Sequence, residues 1–341
     1  MTTRELGVLV LAGGPDSERR VSLAGADAVG RALEAGGRSR VTVHELPESP
    51  APRGPADLPI EGADVVFPLL HGPWGEGGPL QRILEDADVP FVGSGMRAAR
   101  DAMDKIHAKS IASVVGAPVL PHAIVNPLEA DPPVPPVELP LVLKPVFEGS
   151  TLGMEICRTA EELAAAVGRA RAAGRPVMAE PFTPGRELTV GLVAPADPRA
   201  DPDTTLVPLP IVEIAPAGGF YDYAAKYDRD DTRYTVDPDL PHGLGDRLTR
   251  WTLDLAAALN IRHLARADFI LTRSGDAVFL EINTMPGFTG HSLVPMAARH
   301  AGVELPELCA RLIDAALVDH ENLSPHLGEP SRYPIGPDRA G

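Results

Sequence analysis

Four polar residues near the carboxyl end of the chain have the types and spacing to do chemistry: Arg266, Asp268, Glu281 and Asn283. They lie in two runs, residues 265–271 and 277–283, rich in β-branched, aromatic and long apolar residues and separated by a segment containing Ser274 and Gly275. That pattern predicts a hairpin, since Gly in a tight turn tolerates a positive φ. With Ser274 and Gly275 as the central turn residues, Asp268 falls opposite Glu281 and Arg266 opposite Asn283. Side chains alternate faces along a strand, so all four project from one side. Two facing carboxylates repel, and a hard divalent cation such as Mg²⁺ or Mn²⁺ would relieve them by taking carboxylate and amide oxygens, often together with nucleotide phosphates. A solvated strand face with an incidental ion pair would have the same spacing. The choice depends on which elements surround the hairpin.

Those elements read as alternating strands and helices. Residues 6–12 form a continuous apolar strand, Gly13 and Gly14 turn it, and a helix is expected from about Ser17 to Ala35. Such a strand–turn–helix opens a βαβ unit, where ligands collect at the strand's carboxyl end. Glu18 is there either as an acid favoured by the helix dipole or as a partner for a ligand's ammonium group. Residues 64–70 make a second buried strand, ending in His71 and a run with glycines at 72, 75, 77 and 78, which is expected to let backbone approach a ligand. His71 reads equally as a structural histidine and as a site residue. Residues 89–92 read as a third strand, followed by a helix through Ala98, Met103 and Ile106 that carries Lys105.

The central region reads as a strand (139–144), a loop (148–153), a strand (154–157), a helix (160–172) and a strand (177–180). The loop, with Glu148, Gly149, Ser150 and Thr151, is either an ordinary hairpin connection or a flap whose backbone N–H groups hold phosphates. Lys144 places a cation beside it. Residues 180–187 look like a stiff crossover between two units, and a strand resumes at residues 188–193. Residues 220–234, polar and aromatic without a period, look like a functional loop. An amphipathic helix (248–259) precedes the hairpin, and helices at 294–301 and 306–317 follow it. Residues 126–138 read as an exposed proline-rich loop, and the chain after Leu323 as a poorly ordered tail.

Composition excludes several classes. Of the 341 residues, 44% are hydrophobic, enough for proper cores, and the length favours two or three compact units. A net charge of −16 disfavours nucleic acid and anionic membrane surfaces as partners. No apolar run reaches spanning length. The two cysteines, Cys157 and Cys309, lack metal-ligand spacing and read as core residues of a reduced, cytoplasmic protein. Neither a dinucleotide fingerprint nor a Walker loop occurs, which removes the dehydrogenase reading.

Taken in order, the motifs resemble the D-alanine–D-alanine ligase family of the ATP-grasp superfamily, over about residues 6–317. The resemblance is carried by residues 11–23, 71–76, 103–105, 148–153, 221–227 and 281–293. It implies an α/β fold of three domains. Residues 1–96 would be a Rossmann-like parallel-sheet substrate domain, 97–186 an ATP-grasp lid, and 187–323 the metal-binding catalytic domain, with 324–341 a flexible tail. It implies ATP and two Mg²⁺ ions (Mn²⁺ substituting), D-alanine as substrate, and a homodimer. Lys105 and Lys144 would bind ATP phosphates beneath a flap of Glu148, Gly149, Ser150 and Thr151. Glu180, Pro181, Phe182 and Thr183 would meet the adenine edge and Glu187 the ribose, with Phe220 also at the nucleotide. Asp268, Glu281 and Asn283 would carry the metals. Glu18 would hold the first D-alanine's ammonium near His71 and join Ser150 and Tyr227 in a hydrogen-bonded set. Arg266 and the Gly287 N–H would stabilise the tetrahedral oxyanion. Lys226, Ser292 and the Leu293 N–H would receive the second substrate's carboxylate, Lys226 also facing the nucleotide.

The chain departs from the family pattern at Gly77, where the family usually has Asp, and at Thr151, where a second serine is usual. The segment 221–227 resembles the dipeptide-forming type. The reaction implied is ligation of two D-alanines through an acyl phosphate, for peptidoglycan precursor synthesis. Two other readings stand beside it: a ligase of other amino acids in a secondary pathway, motivated by Gly77, and a nucleotide-binding protein without catalysis.

Overall fold

The protein, represented by a computed structural model, is described over residues 5–126, 137–149, 153–200, 206–218 and 231–323. Its first buried strand, β1 (Leu6–Gly13), is followed by α1 (Arg19–Gly36), β2 (Ser39–Leu46) and β3 (Val65–Pro68). The strands pair in parallel in the order β2-β1-β3, the parallel sheet expected from the sequence. The hydroxyl of Ser22 on α1 accepts from the Gly13 N–H at 2.7 Å and donates to the Leu69 carbonyl, tying the carboxyl ends of two strands beneath the helix. The expected third strand is a single bridge, Val66 to Phe91. Pro90, in the middle of that run, has no N–H to donate to a ladder.

Next come the short helix α2 (Gly72–Gly75), α3 (Pro79–Asp86), α4 (Met96–Met103) and α5 (Lys105–Val114). The sequence predicts one helix across α4 and α5, but the chain breaks at Asp104, which takes an extended ψ of 99°. There its carboxylate caps α5 by accepting from the Ile106 and His107 N–H groups at 3.0 and 3.1 Å. The break sets Lys105 on the first turn of a new helix.

The second sheet contains β4 (Ala123–Val125), β5 (Leu141–Pro145), β6 (Glu155–Cys157) and β7 (Val177–Pro181), with α6 (Ala160–Ala173) packed over it. Its order is β4-β7-β5-β6 and every pair is antiparallel. The third sheet comprises β8 (Gly185–Val193), β9 (Val207–Pro208), β10 (Val212–Pro216), β11 (Thr232–Val236), β12 (Leu264–Thr272) and β13 (Ala277–Asn283). It runs β11-β10-β8-β12-β13, with β9 against β8. β8 begins three residues before the expected start, so Glu187 lies on a strand rather than in the crossover. Residues 232–234, expected in a loop, belong to β11; residues 219–230 of that segment, and the proline-rich residues 127–136, lie outside the described residues.

α7 (Leu244–Ala258) covers one face of this sheet, and α8 (Leu293–His300) and α9 (Leu305–Leu323) close the chain. Ala102, Ala108 and Ala112 of α4 and α5 are buried in one cluster with Phe269 and Phe279 of the third sheet and Leu248 of α7. A second cluster joins Val8 and Val10 of β1 to Val193 of β8, Leu264 of β12 and Leu308 of α9, so the first and third sheets share a core. Cys309 is buried in that cluster, and Cys157 lies in the core of the second sheet. Among the described residues no helix is long and apolar enough to cross a membrane.

The seam between the first and third sheets contains a buried polar junction. His263, with a φ of 63° that non-glycine residues rarely adopt, accepts from the Gly93 N–H at Nδ1 (2.9 Å). Its Nε2 meets Asp319 of α9 at 3.0 Å, which assigns the Nε2–H tautomer from the network. Burial lowers the His263 pKa below the usual imidazole value despite Asp319. Burial alone would raise the Asp319 carboxyl; the hydrogen bond and charge of His263, with Arg262, outweigh it and hold it below the usual carboxylate range. Because that folded pKa is depressed, Asp319 contributes stability above the unfolded value of 3.8, and the contribution fades as pH falls through the folded value. Asp319→Ala is expected to lower stability at neutral pH by about 1 kcal/mol, the carboxylate being partly exposed. Thermal unfolding of both proteins checks it: the gap should narrow below the carboxylate range, and a gap unchanged at low pH contradicts the assignment.

Candidate active site

The hairpin β12–β13 pairs Arg266 with Asn283 and Asp268 with Glu281, the register expected from the sequence. It arrives there by a different route. The turn is a three-residue loop in which the Gly275 N–H donates to the Thr272 carbonyl at 3.1 Å and Thr272 N–H to Asp276 O at 2.8 Å. This shifts the outer pairs by one residue (Phe269 opposite Phe279, Leu271 opposite Ala277), and a bulge at Leu280 restores the register before Glu281 is reached.

All four polar residues line one cavity of about 800 Å³. Arg266 makes a two-pronged ion pair with Asp268, Nη2 to Oδ2 at 2.9 Å and Nε to Oδ1 at 3.0 Å. Thr189, across from Asp268 on β8, donates its hydroxyl to Asp268 Oδ1 at 2.6 Å. Lys105 Nζ lies 3.3 Å from Glu281 Oε2 and also donates to the Glu148 carbonyl. Asn283 Oδ1 accepts from the Met285 N–H at 2.9 Å. Each carboxylate of the facing pair therefore has its own cation, and the donors exposed to the cavity are hard oxygens. Among the described residues no three His, Cys, Asp or Glu side chains cluster at metal-binding distance. Two carboxylates and an amide oxygen suit an ion that completes its shell with phosphate and water, as Mg²⁺ does.

Every described candidate site residue lines this same cavity. The first sheet contributes Glu18 and His71; the second Lys144, Glu148, Gly149, Glu180, Pro181, Phe182 and Thr183; the third Glu187, Arg266, Asp268, Glu281 and Asn283. Gly287, Ser292 and Leu293 come from the turn into α8. Ser292 Oγ accepts from the Thr289 N–H at 2.8 Å and would lie 2.9 Å from a Cβ placed on Gly287. Ser150, Thr151, Phe220, Lys226 and Tyr227 lie outside the described residues. Gly149 nevertheless comes close to Glu18, since a Cβ on Gly149 would stand 2.9 Å from Glu18 Oε2. The Glu148 carboxyl, raised by burial, is paired with Arg175.

Four residues at the site were missed. Thr189 and Lys109 touch the predicted carboxylates; their only sequence signals are a hydroxyl on an otherwise apolar strand and a lysine one turn after Lys105. Glu76, buried beside His71, accepts from the Gly72 N–H at 3.1 Å, while its Oε2 has no hydrogen-bond partner among the described residues. That oxygen is 4.0 Å from His71 Nδ1, too long for a hydrogen bond but close enough to act on the ring. Burial opposes a charged imidazole, and the carboxylates of Glu76 and Glu18 outweigh it, raising the His71 pKa. The fourth, Asp16, caps α2 from another loop by accepting from the Trp74 and Gly75 N–H groups at 2.9 and 2.8 Å.

The glycine run does not open the backbone to a ligand, as the sequence implied. The chain fills the space itself: a Cβ on Gly75 would meet Leu70 Cβ at 2.6 Å, and one on Gly77 would meet the Pro73 carbonyl oxygen at 2.3 Å. The departure at Gly77 is thus a steric requirement of this α2 turn.

A parallel sheet, an antiparallel flap sheet and a second antiparallel sheet with lysines facing carboxylates around one cleft define an ATP-grasp enzyme. The comparisons narrow the class. Residues 48–94 match the model for the D-ala D-ala ligase N-terminus and residues 133–314 that for the D-ala D-ala ligase C-terminus. The chain is 39% identical over 310 residues to the D-alanine–D-alanine ligase of Aromatoleum aromaticum, covering 91% of this chain and 95% of that one. It therefore belongs to the D-alanine–D-alanine ligase family. Among solved structures, the D-alanine–D-alanine ligase of Bacillus anthracis complexed with ATP superposes with a TM-score of 0.76 at 26% identity, covering 94% of this chain and 99% of that one. The ligase from Coxiella burnetii, at 23% identity and a TM-score of 0.78 over 95% and 97% of the two chains, shares the fold.

Gly77→Asp, which restores the residue usual in the family, is expected to destabilise this chain by about 1–3 kcal/mol, because the Pro73 carbonyl must move. A thermal midpoint at or above that of the parent protein would contradict the packing argument.

Proposed function

We infer that the chain joins two D-alanine molecules into D-alanyl-D-alanine with ATP, releasing ADP and phosphate and supplying a peptidoglycan precursor. One observation carries the assignment of roles: every described candidate residue, drawn from three sheets, faces a single cavity in which lysines oppose carboxylates. A carboxylate is a poor acyl donor, so the first D-alanine's carboxylate oxygen attacks the γ-phosphorus of ATP, breaking its bond to the β,γ-bridging oxygen. The products are an acyl phosphate and ADP. The second D-alanine's amine then attacks the acyl carbon, and inorganic phosphate leaves.

The protein's part is positioning and charge. Glu18, at the cleft end of α1, holds the first ammonium, with His71 beside it. Lys105 and Lys144 neutralise phosphoryl oxygens. Asp268, Glu281 and Asn283 would hold Mg²⁺, with Mn²⁺ able to replace it, and the ion would neutralise charge spread over the phosphates. Arg266 and the Gly287 N–H face the oxygen that becomes anionic when the amine adds. Lys226, Ser292 and the Leu293 N–H take the second carboxylate, and Tyr227 and Ser150 complete the set around Glu18. Water must be excluded because the acyl phosphate hydrolyses, a task given to residues 148–153 and to the segment 220–231 that precedes β11. In this scheme residues 1–96, 97–186 and 187–323 are the substrate, lid and metal-binding domains. The enzyme works in the cytoplasm, where its precursors are made, as a homodimer.

Release of ADP that depends on D-alanine, with the dipeptide identified by mass, tests the reading; formation of D-alanyl-D-lactate and no dipeptide at neutral pH would overturn it. Arg266→Met is expected to lower kcat by about 10²–10³-fold, the usual cost of one lost oxyanion donor. An unchanged kcat would remove Arg266 from the chemical step. Thr189→Val takes away a hydroxyl that orients Asp268, so the Mg²⁺ concentration giving half-maximal rate should rise about 10–100-fold. A titration of rate against Mg²⁺ that superposes on the parent curve would separate Thr189 from the metal site.

A further inference from the structure

Lys109 is a fully buried lysine, 0% exposed, one helical turn beyond Lys105 on α5. Lysine is almost never so placed unless it is paired. Its Nζ lies 2.6 Å from Glu180 Oε1 and donates to the Phe279 carbonyl at 3.3 Å, bridging the end of β7 to β13. The other Glu180 oxygen lies 2.6 Å from Lys144 Nζ. Glu180 is itself buried yet lines the cavity beside Pro181 and Phe182. Its two lysines differ in what they are free to do. Lys144 also lines the cavity, and the reading above gives it to a phosphate. Lys109 has no exposed surface and is anchored on a backbone carbonyl, so it is the counter-ion that stays.

A carboxylate held ionised only accepts hydrogen bonds. At the base end of a nucleotide site it welcomes an exocyclic amino group and repels a carbonyl oxygen in the same place. We propose that Lys109 is the positioning residue that fixes Glu180 as an acceptor-only carboxylate, so that the cleft selects a 6-amino purine nucleotide over a 6-oxo one. This rests on the ATP reading above and extends it to the choice of base. Burial draws the Lys109 pKa down to about 8, opposed by the Glu180 charge, and the two lysines outweigh burial in holding Glu180 below the usual carboxylate range. At about 8 Lys109 still keeps its proton at neutral pH, and Glu180, held below the usual carboxylate range, keeps its charge. A site built to pair with a hydrogen-bonding group rejects analogues that lack it far more strongly than an apolar pocket can.

The test compares ATP with inosine triphosphate, which carries an oxygen at the 6 position, following D-alanine-dependent phosphate release by the full chain. In the parent protein kcat/KM should favour ATP strongly. In Lys109→Met the ATP preference should fall roughly tenfold or more through KM for the nucleotide, with KM for D-alanine unchanged. A purely structural lysine would lower the rate with both nucleotides alike and leave their ratio intact, which overturns the proposal. Should Lys109→Met fail to fold because Glu180 is left underpaired, Lys109→Met combined with Glu180→Gln removes the stranded charge. The amide can then donate to the 6-oxo group, so the preference should collapse or invert; a preserved preference overturns the proposal here too. Absence of D-alanine-dependent phosphate release in the parent protein would overturn the ligase reading and this inference together, whereas an unchanged ratio overturns this inference alone.

Discussion

Two carboxylates, Asp268 and Glu281, stand directly opposite each other on neighbouring antiparallel strands. Like charges directly opposite each other across a strand pair are destabilising unless they are compensated. The surroundings supply what this pairing demands. Arg266 clasps Asp268 from two residues away on the same strand face, Thr189 donates from the adjacent strand, and Lys105 reaches Glu281 from a separate helix. The break at Asp104 belongs to the same arrangement, since it places Lys105 at the start of α5 instead of in the middle of one long helix.

A cleft assembled in this way needs rigid walls. The core shared by the first and third sheets, with Phe67 and Phe288 meeting edge to face at 5.5 Å, fixes the Glu18 and His71 end of the cavity relative to the hairpin. Helices α4 and α5 pack their alanine faces on the third sheet, so Lys105 and Lys109 are delivered by an element that cannot drift from the carboxylates. The second sheet has its own smaller core, and its connection to the rest passes through Glu180, Lys109, Glu148 and Lys105. Polar contacts of this kind can be exchanged when a charged ligand enters. Apolar cores cannot be, because they are packed without slack.

Buried charges recur where the cleft is deepest. Lys109, Glu180, Glu76 and His71 are each at most 5% exposed, and among the described residues Glu76 Oε2 and Glu180 Oε1 have no hydrogen-bond partner. The second of these oxygens has Lys109 at 2.6 Å, an ionic contact made without hydrogen-bond alignment. Breaking one partner of such a pair leaves the other charge without compensation, which is far more costly than the pair is stabilising. The deep end of the site is therefore stiff in charge as well as in shape.

The sequence alone determined the alternation of strand and helix, the parallel opening unit, and the face on which Arg266, Asp268, Glu281 and Asn283 lie. Period, turn residues and strand alternation are local properties, and the order of motifs along the chain specified the family. It placed the hairpin register correctly although the turn and the bulge at Leu280 offset each other, because burial of one face fixes register more firmly than turn length does. Tertiary structure decided what local patterns cannot carry. Pro90 interrupts a run whose hydrophobicity reads as strand. Asp104 turns one helical pattern into two by capping. The glycines at 75 and 77 answer to Leu70 and Pro73, neighbours that come close only once α2 has formed. Lys109 and Thr189 join the site through contacts at sequence separations of 71 and 79 residues, and no spacing rule reaches that far.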